Sequence, residues 1–161
     1  MIQANEPQQK EGYGCGVYSV ANSLLIPNFI TQERVIESNT GNSVHQLNKW
    51  LEEDGIDWRV DVLYFDMENH KSENINGINW EKQEAKEPLI AMFQVKTEEK
   101  SRWHLVSAII YTKEKVVITD SLKTKKIKCK FDTISDHYFQ VSGMFLFRHK
   151  SKDEYAILLK N

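Results

Sequence analysis

A cysteine, a histidine, an aspartate and a glutamine are spaced in this chain so that they could do chemistry together. The most informative stretch is Gln9-Lys10-Glu11-Gly12-Tyr13-Gly14-Cys15-Gly16. From Cys15 onward, apolar residues fall at Val17, Val20, Ala21, Leu24 and Leu25. That is helical spacing, and it places Cys15 at a predicted helix start. Free backbone N–H groups and the helix dipole at such a start favour an anion, and hence the thiolate form of a cysteine. Gly14 and Gly16 flank the thiol and would let backbone or substrate approach closely. Gln9, six residues upstream, is a side-chain donor that with the Cys15 N–H would make an oxyanion hole; Gln8 is a weaker choice for that role. Cys129, the second cysteine, lies in a Lys-rich stretch that reads as a strand. It is assigned the structural role usual for a free cysteine.

A nucleophilic thiol needs a base, and the base needs a group to orient it. The histidines are His45, His70, His104, His137 and His149. His104 opens the apolar run Trp103-His104-Leu105-Val106, which leads through a turn into Val116-Val117-Ile118-Thr119-Asp120. In an antiparallel pair the start of one strand lies beside the end of the next, so His104 and Asp120 are predicted neighbours. His45 falls in a first helical turn, His70 in a polar loop and His149 past a strand end, all surface positions. The expected roles follow. Cys15 attacks a carbonyl carbon, His104 moves the proton, Asp120 fixes the imidazole, and Trp103 shields their contact from water. Such a site needs no cofactor. Two cysteines without Cys-x-x-Cys spacing do not make a structural zinc site either.

The elements that must position these groups follow from pattern. Pro27 is expected to stop the first helix. Thr31 would cap a short second one. Ser43 with Gln46 reads as a capping box for a helix with Val44, Leu47, Trp50 and Leu51 on one face, and Gly55 as its C-terminal cap. Strands are predicted over 58–65, 89–95, 103–111, 116–119 and 138–147, with a last edge at 155–159 and a hairpin turn at Thr112–Lys115. Residues 66–87 read as loop with one short helix. Helices first and an antiparallel sheet after them define an α+β pattern.

Composition bounds the class. The chain has 161 residues, 40% apolar and 27% charged, which fits one globular domain over 1–161 and excludes disorder. A net charge of −2 gives no overall basic field for nucleic acid. The polar N-terminus does not read as a secretory signal, and no window approaches 18 apolar residues. A soluble, cytoplasmic protein without membrane insertion is therefore expected. Charge is uneven: residues 1–90 carry 15 acidic and 7 basic residues, whereas residues 96–130 carry 10 basic and 4 acidic ones. Lys123, Lys125, Lys126, Lys128 and Lys130 alternate with Ile127 and Cys129, as in an edge strand protected by lysine; the sharper reading is a docking surface for an acidic partner.

From about residue 8 to 148 the chain resembles the papain-like cysteine peptidases, and most closely the bacterial double-glycine-leader peptidases of bacteriocin export. Gln9 with Cys15-Gly16 is similar to that family's glutamine and nucleophile box. Gly41-Asn42-Ser43 with Leu47 resembles its second helical region, Pro88-Leu89-Ile90-Ala91 the strand before the histidine, and Ser142-Gly143 the small-residue turn before the last strand. His104 and Asp120 match the family's histidine–aspartate spacing. Asp120-Ser121 departs from the family's usual Asp-Pro. The words Trp103-His104-Leu105 and Asp120-Ser121-Leu122 look like those of SUMO-type proteases, whose cysteine comes last rather than first. The resemblance implies a papain-like fold and a cysteine peptidase acting on a peptide or isopeptide bond of a protein or peptide substrate. Its site would be Cys15, His104, Asp120 and Gln9, with Gly14, Gly16 and Trp103 along the cleft. The same triad could instead deamidate or transamidate a protein, or the domain could bind peptides without catalysis.

Overall fold

A computed structural model describes residues 14–38, 41–63, 88–123 and 125–151. Gln9, Gln8, His70, the loop expected over 66–87 and the edge expected at 155–159 lie outside the described residues. The described elements are helices α1 (Cys15–Leu24), α2 (Gln32–Glu37) and α3 (Val44–Glu53), then strands β1 (Trp58–Leu63), β2 (Leu89–Lys96), β3 (His104–Thr112), β4 (Lys115–Thr119), β5 (Ile127–Cys129) and β6 (Gln140–His149). Short 3₁₀ turns occupy Pro27–Phe29 and Phe131–His137. The six strands form one antiparallel sheet in the order β1-β6-β2-β3-β4-β5. The architecture is α+β, as the sequence pattern predicts.

Period-two alternation gives the sheet two apolar faces. On one face Phe93, Val106, Ala108, Val116, Ile118 and Leu146 pack with Phe131, Ile134 and Tyr138 of the second 3₁₀ turn. On the other, Val60, Met92 and Phe147 pack with Val17, Val20 and Ala21 of α1 and Leu47, Trp50 and Leu51 of α3. Both edges are protected. Asn48 of α3 donates to the Val60 carbonyl at 2.9 Å and accepts the Val60 N–H at 2.7 Å, closing part of the β1 edge. The β5 edge carries exposed Lys128, in keeping with the edge-strand reading of the lysine run.

The helix ends differ in detail from the sequence pattern. α1 stops at Leu24, before Pro27. Leu25 turns left-handed (φ 57°), and its N–H and that of Ile26 both reach the Ala21 carbonyl. Pro27 instead opens the 3₁₀ turn, where its fixed φ suits a first position. Thr31 caps α2 by accepting the Arg34 N–H. Ser43 accepts the Gln46 N–H at 3.1 Å, but the Gln46 side chain accepts from Asn42 rather than closing the capping box. Gly55 (φ 70°) follows α3; its N–H reaches Glu52 and that of Ile56 reaches Leu51, a paired C-terminal cap. Arg34 fastens α2 to the end of α3. It makes two hydrogen bonds to Asp54, at 2.7 and 2.8 Å, with its guanidinium over the Phe29 and Trp50 rings.

One contact sets α1 against the sheet near the sequence-predicted site. Ser19 Oγ donates to the Leu105 carbonyl at 2.7 Å. Ser19 stands one helical turn after Cys15, and Leu105 follows His104, so this bond registers the thiol-bearing turn on the histidine-bearing strand. Ser19→Ala is expected to lower stability by about 1 kcal/mol, a drop in Tm of roughly 2–4 °C, measured by thermal unfolding.

Candidate active site

His104 and Asp120 terminate two neighbouring apolar rows. Along β3, His104, Val106, Ala108 and Ile110 alternate on one face; along β4, Val116 and Ile118 lead to Asp120. The two strands pair from Ser107 with Thr119 to Thr112 with Lys115 across the hairpin turn. That register brings His104 and Asp120 together at the sheet end, where Nε2 of His104 lies 2.7 Å from Oδ1 of Asp120. Both side chains are buried, at 9% and 2% exposure. The same Oδ1 accepts the Leu122 N–H at 2.9 Å. The pair expected from the hairpin is therefore formed.

Electrostatics couple Cys15 to this pair. Burial alone would depress the His104 pKa. Hydrogen bonds with Asp120 and with the Cys15 thiol, and the charges of both, outweigh it and leave the pKa raised to about 9. Burial likewise opposes ionisation of Asp120, but the His104 hydrogen bond and charge, the Leu122 N–H and the Lys123 ammonium hold its carboxyl below the usual range. With Nε2 committed to Asp120, Nδ1 is the imidazole nitrogen left for Cys15. A carboxylate only accepts, so the neutral ring carries its hydrogen on Nε2 and its lone pair on Nδ1. By contrast, burial first and then Asp136 raise the Cys129 thiol.

Cys15 opens α1 directly after Gly14, which is the N-cap, left-handed at φ 92°. A residue with a Cβ would be strained there. Space near both flanking glycines is taken by the chain itself. A Cβ at Gly14 would lie 3.3 Å from Val35 Cγ1. One at Gly16 would lie 2.5 Å from Asn42 Oδ1. Asn42 is fixed by donating to Ser38 at 2.8 Å and Gln46 at 3.0 Å. The Gly41-Asn42-Ser43 stretch thus backs the Cys15 turn, and its packing accounts for Gly16 independently of any substrate.

Among the described residues, the other histidines face solvent or bond elsewhere. His45 and His137 are exposed, and His149 sits by Trp58 and bonds Ser151. Trp103, expected to shield the pair, is 38% exposed, with Lys96 Nζ 4.9 Å from its ring centre. Sequence reasoning passed over Tyr138. Its hydroxyl and Asp120 Oδ2 are buried without hydrogen-bond partners among the described residues. Burial, then the Asp120 charge, pushes the Tyr138 phenol up, so it stays neutral beside the carboxylate. A large aromatic preceding the last strand was the available signal. Among the described residues no group of three His, Cys, Asp or Glu side chains could hold a metal, and no helix is long and apolar enough to cross a membrane. No protein-family model matches the chain, and no curated protein matches it in sequence.

The pair ties stability to pH in two windows. The raised His104 pKa contributes stability that is fully present below its ordinary value of 6.5 and is lost as pH rises through about 9. The lowered Asp120 pKa contributes above the ordinary 3.8 and is lost as pH falls through its depressed value. Asp120→Asn removes the carboxylate's own contribution and the Asp120 share of the His104 one. The stability gap between native chain and variant in urea unfolding is expected to be widest between pH 3.8 and 6.5 and to narrow towards pH 9.

Proposed function

We propose that the chain is a papain-like cysteine peptidase that hydrolyses a peptide or isopeptide bond in a protein or peptide substrate. The observation that carries this reading is the buried His104–Asp120 pair, 2.7 Å from Nε2 to Oδ1, electrostatically coupled to the Cys15 thiol at a helix start. A binding module has no need of that arrangement. Cysteine-first order and the Gln9 spacing favour the papain-like type.

His104 takes the Cys15 proton on Nδ1, giving a thiolate–imidazolium pair. The thiolate attacks the scissile carbonyl carbon, and the carbonyl π electrons move onto oxygen. The Cys15 N–H, at the open start of α1, and the Gln9 side chain donate to that oxyanion. The tetrahedral intermediate collapses as His104 protonates the leaving amine, forming a thioester. Water, deprotonated by His104, then releases the acid and regenerates the thiol. Asp120 remains ionised throughout and holds the ring through Nε2. Both cysteines are free, and a reducing, cytoplasmic setting would keep the Cys15 thiol usable.

A proteome-wide cleavage profile comparing the native chain with Cys15→Ala tests this. New termini that depend on Cys15 and vanish in His104→Ala are expected; deamidation mass shifts or crosslinks without new termini would replace the peptidase reading with another acyl transfer. Gln9→Ala is expected to lower kcat by about 10²–10³, read on whichever substrate the profile returns.

A further inference from the structure

Six large apolar residues are exposed among the described residues, and three of them belong to segments that meet at the sheet end holding the His104–Asp120 pair. Leu25, Ile36 and Tyr111 belong to other parts of the fold. Trp103 (38% exposed) immediately precedes His104. Leu122 (52%) donates its N–H to the Asp120 oxygen that His104 shares. Phe139 (57%) donates its N–H to the Lys96 carbonyl at 2.9 Å, and the ammonium of the same Lys96 sits over the Trp103 ring. Val95, the neighbour of Lys96, pairs with His104 on one side and Val141 on the other. Three separate segments therefore converge on one end of the sheet, each bringing an exposed apolar side chain.

A single exposed apolar residue is ordinary, but a cluster rimmed by polar groups beside convergent chemistry marks a ligand surface. Lys96 restrains the indole by a cation–π contact before any ligand arrives, which lowers the entropy lost on binding. The geometry points to a specificity ledge on which Trp103, Leu122 and Phe139 receive a large apolar side chain of the substrate, next to the bond that Cys15 attacks. This rests on the peptidase reading and adds the substrate class: chains with an aromatic or long aliphatic residue flanking the scissile carbonyl. Glycine would leave the ledge uncovered, and an acidic side chain would lose hydration against it.

Two measurements on the full chain separate the ledge from the peptidase reading. In the first, a peptide library varied around the cleavable bond is digested and its cleavage sites read by mass spectrometry. Large apolar residues should be enriched at one flanking position. Trp103→Ala should lower the ratio of kcat/KM for Phe over Gly peptides by about tenfold or more, with Phe139→Ala lowering it as an independent variant. A flat profile, or a preference untouched by both variants, overturns the ledge. In the second, Cys15→Ala is titrated with the Phe and Gly peptides while the Trp103 indole N–H resonance, assigned by its loss in Trp103→Phe, is followed by NMR. A shift with the Phe peptide alone upholds the ledge, even if no Cys15-dependent cleavage occurs and the peptidase reading falls. No shift with either peptide, or equal shifts with both, overturns it.

Discussion

Asp120 holds His104 through a 2.7 Å hydrogen bond in a place where both side chains are nearly out of water. A buried ionisable pair tolerates little error. Complete, it is self-compensating; with one partner removed, the other is left charged and desolvated at a cost of about 3–5 kcal/mol. The pair therefore constrains everything that delivers it. The β3–β4 register must be right, because a slip of one residue would turn His104 or Asp120 to the opposite face. The turn after β4 must return the Leu122 N–H to the carboxylate. And for the proposed chemistry α1 must present Cys15 to the imidazole nitrogen that Asp120 does not engage.

Two kinds of contact meet that last demand. Ser19 ties α1 to the Leu105 carbonyl, a fixed polar point one helical turn from the thiol. Val35 and Asn42 pack against Gly14 and Gly16, so α2 and the start of α3 brace the turn from behind. Arg34 and Asp54 in turn fasten α2 to α3. The helical layer thus carries Cys15, and the sheet carries His104 and Asp120.

The site was legible where local spacing decides geometry. A hairpin turn at Thr112–Lys115 fixes which residues of two strands face each other, so His104 and Asp120 could be paired from sequence alone. The helix start at Cys15 followed from periodicity in the same way. Non-local choices were not legible. β6 inserts between β1 and β2, a pairing between strands far apart in the chain that no pattern within either strand encodes. Gln46 had the spacing for a capping box, yet Asn42 competes for its carbonyl oxygen. Ser19 resembled any small residue on a buried helix face; only the carbonyl opposite gives it a role. Pro27 signalled a stop, but α1 had already ended through the left-handed Leu25.

The central claim is that His104 activates Cys15, and the alkylation rate of each cysteine reports on it directly. Iodoacetamide labelling at pH 6, followed residue by residue by mass spectrometry, compares Cys15 with Cys129 in the native chain and in His104→Ala. Cys15 should react about tenfold or more faster than Cys129 in the native chain and lose that advantage in the variant. Equal rates in the native chain, or a Cys15 rate unchanged by His104→Ala, would contradict the account.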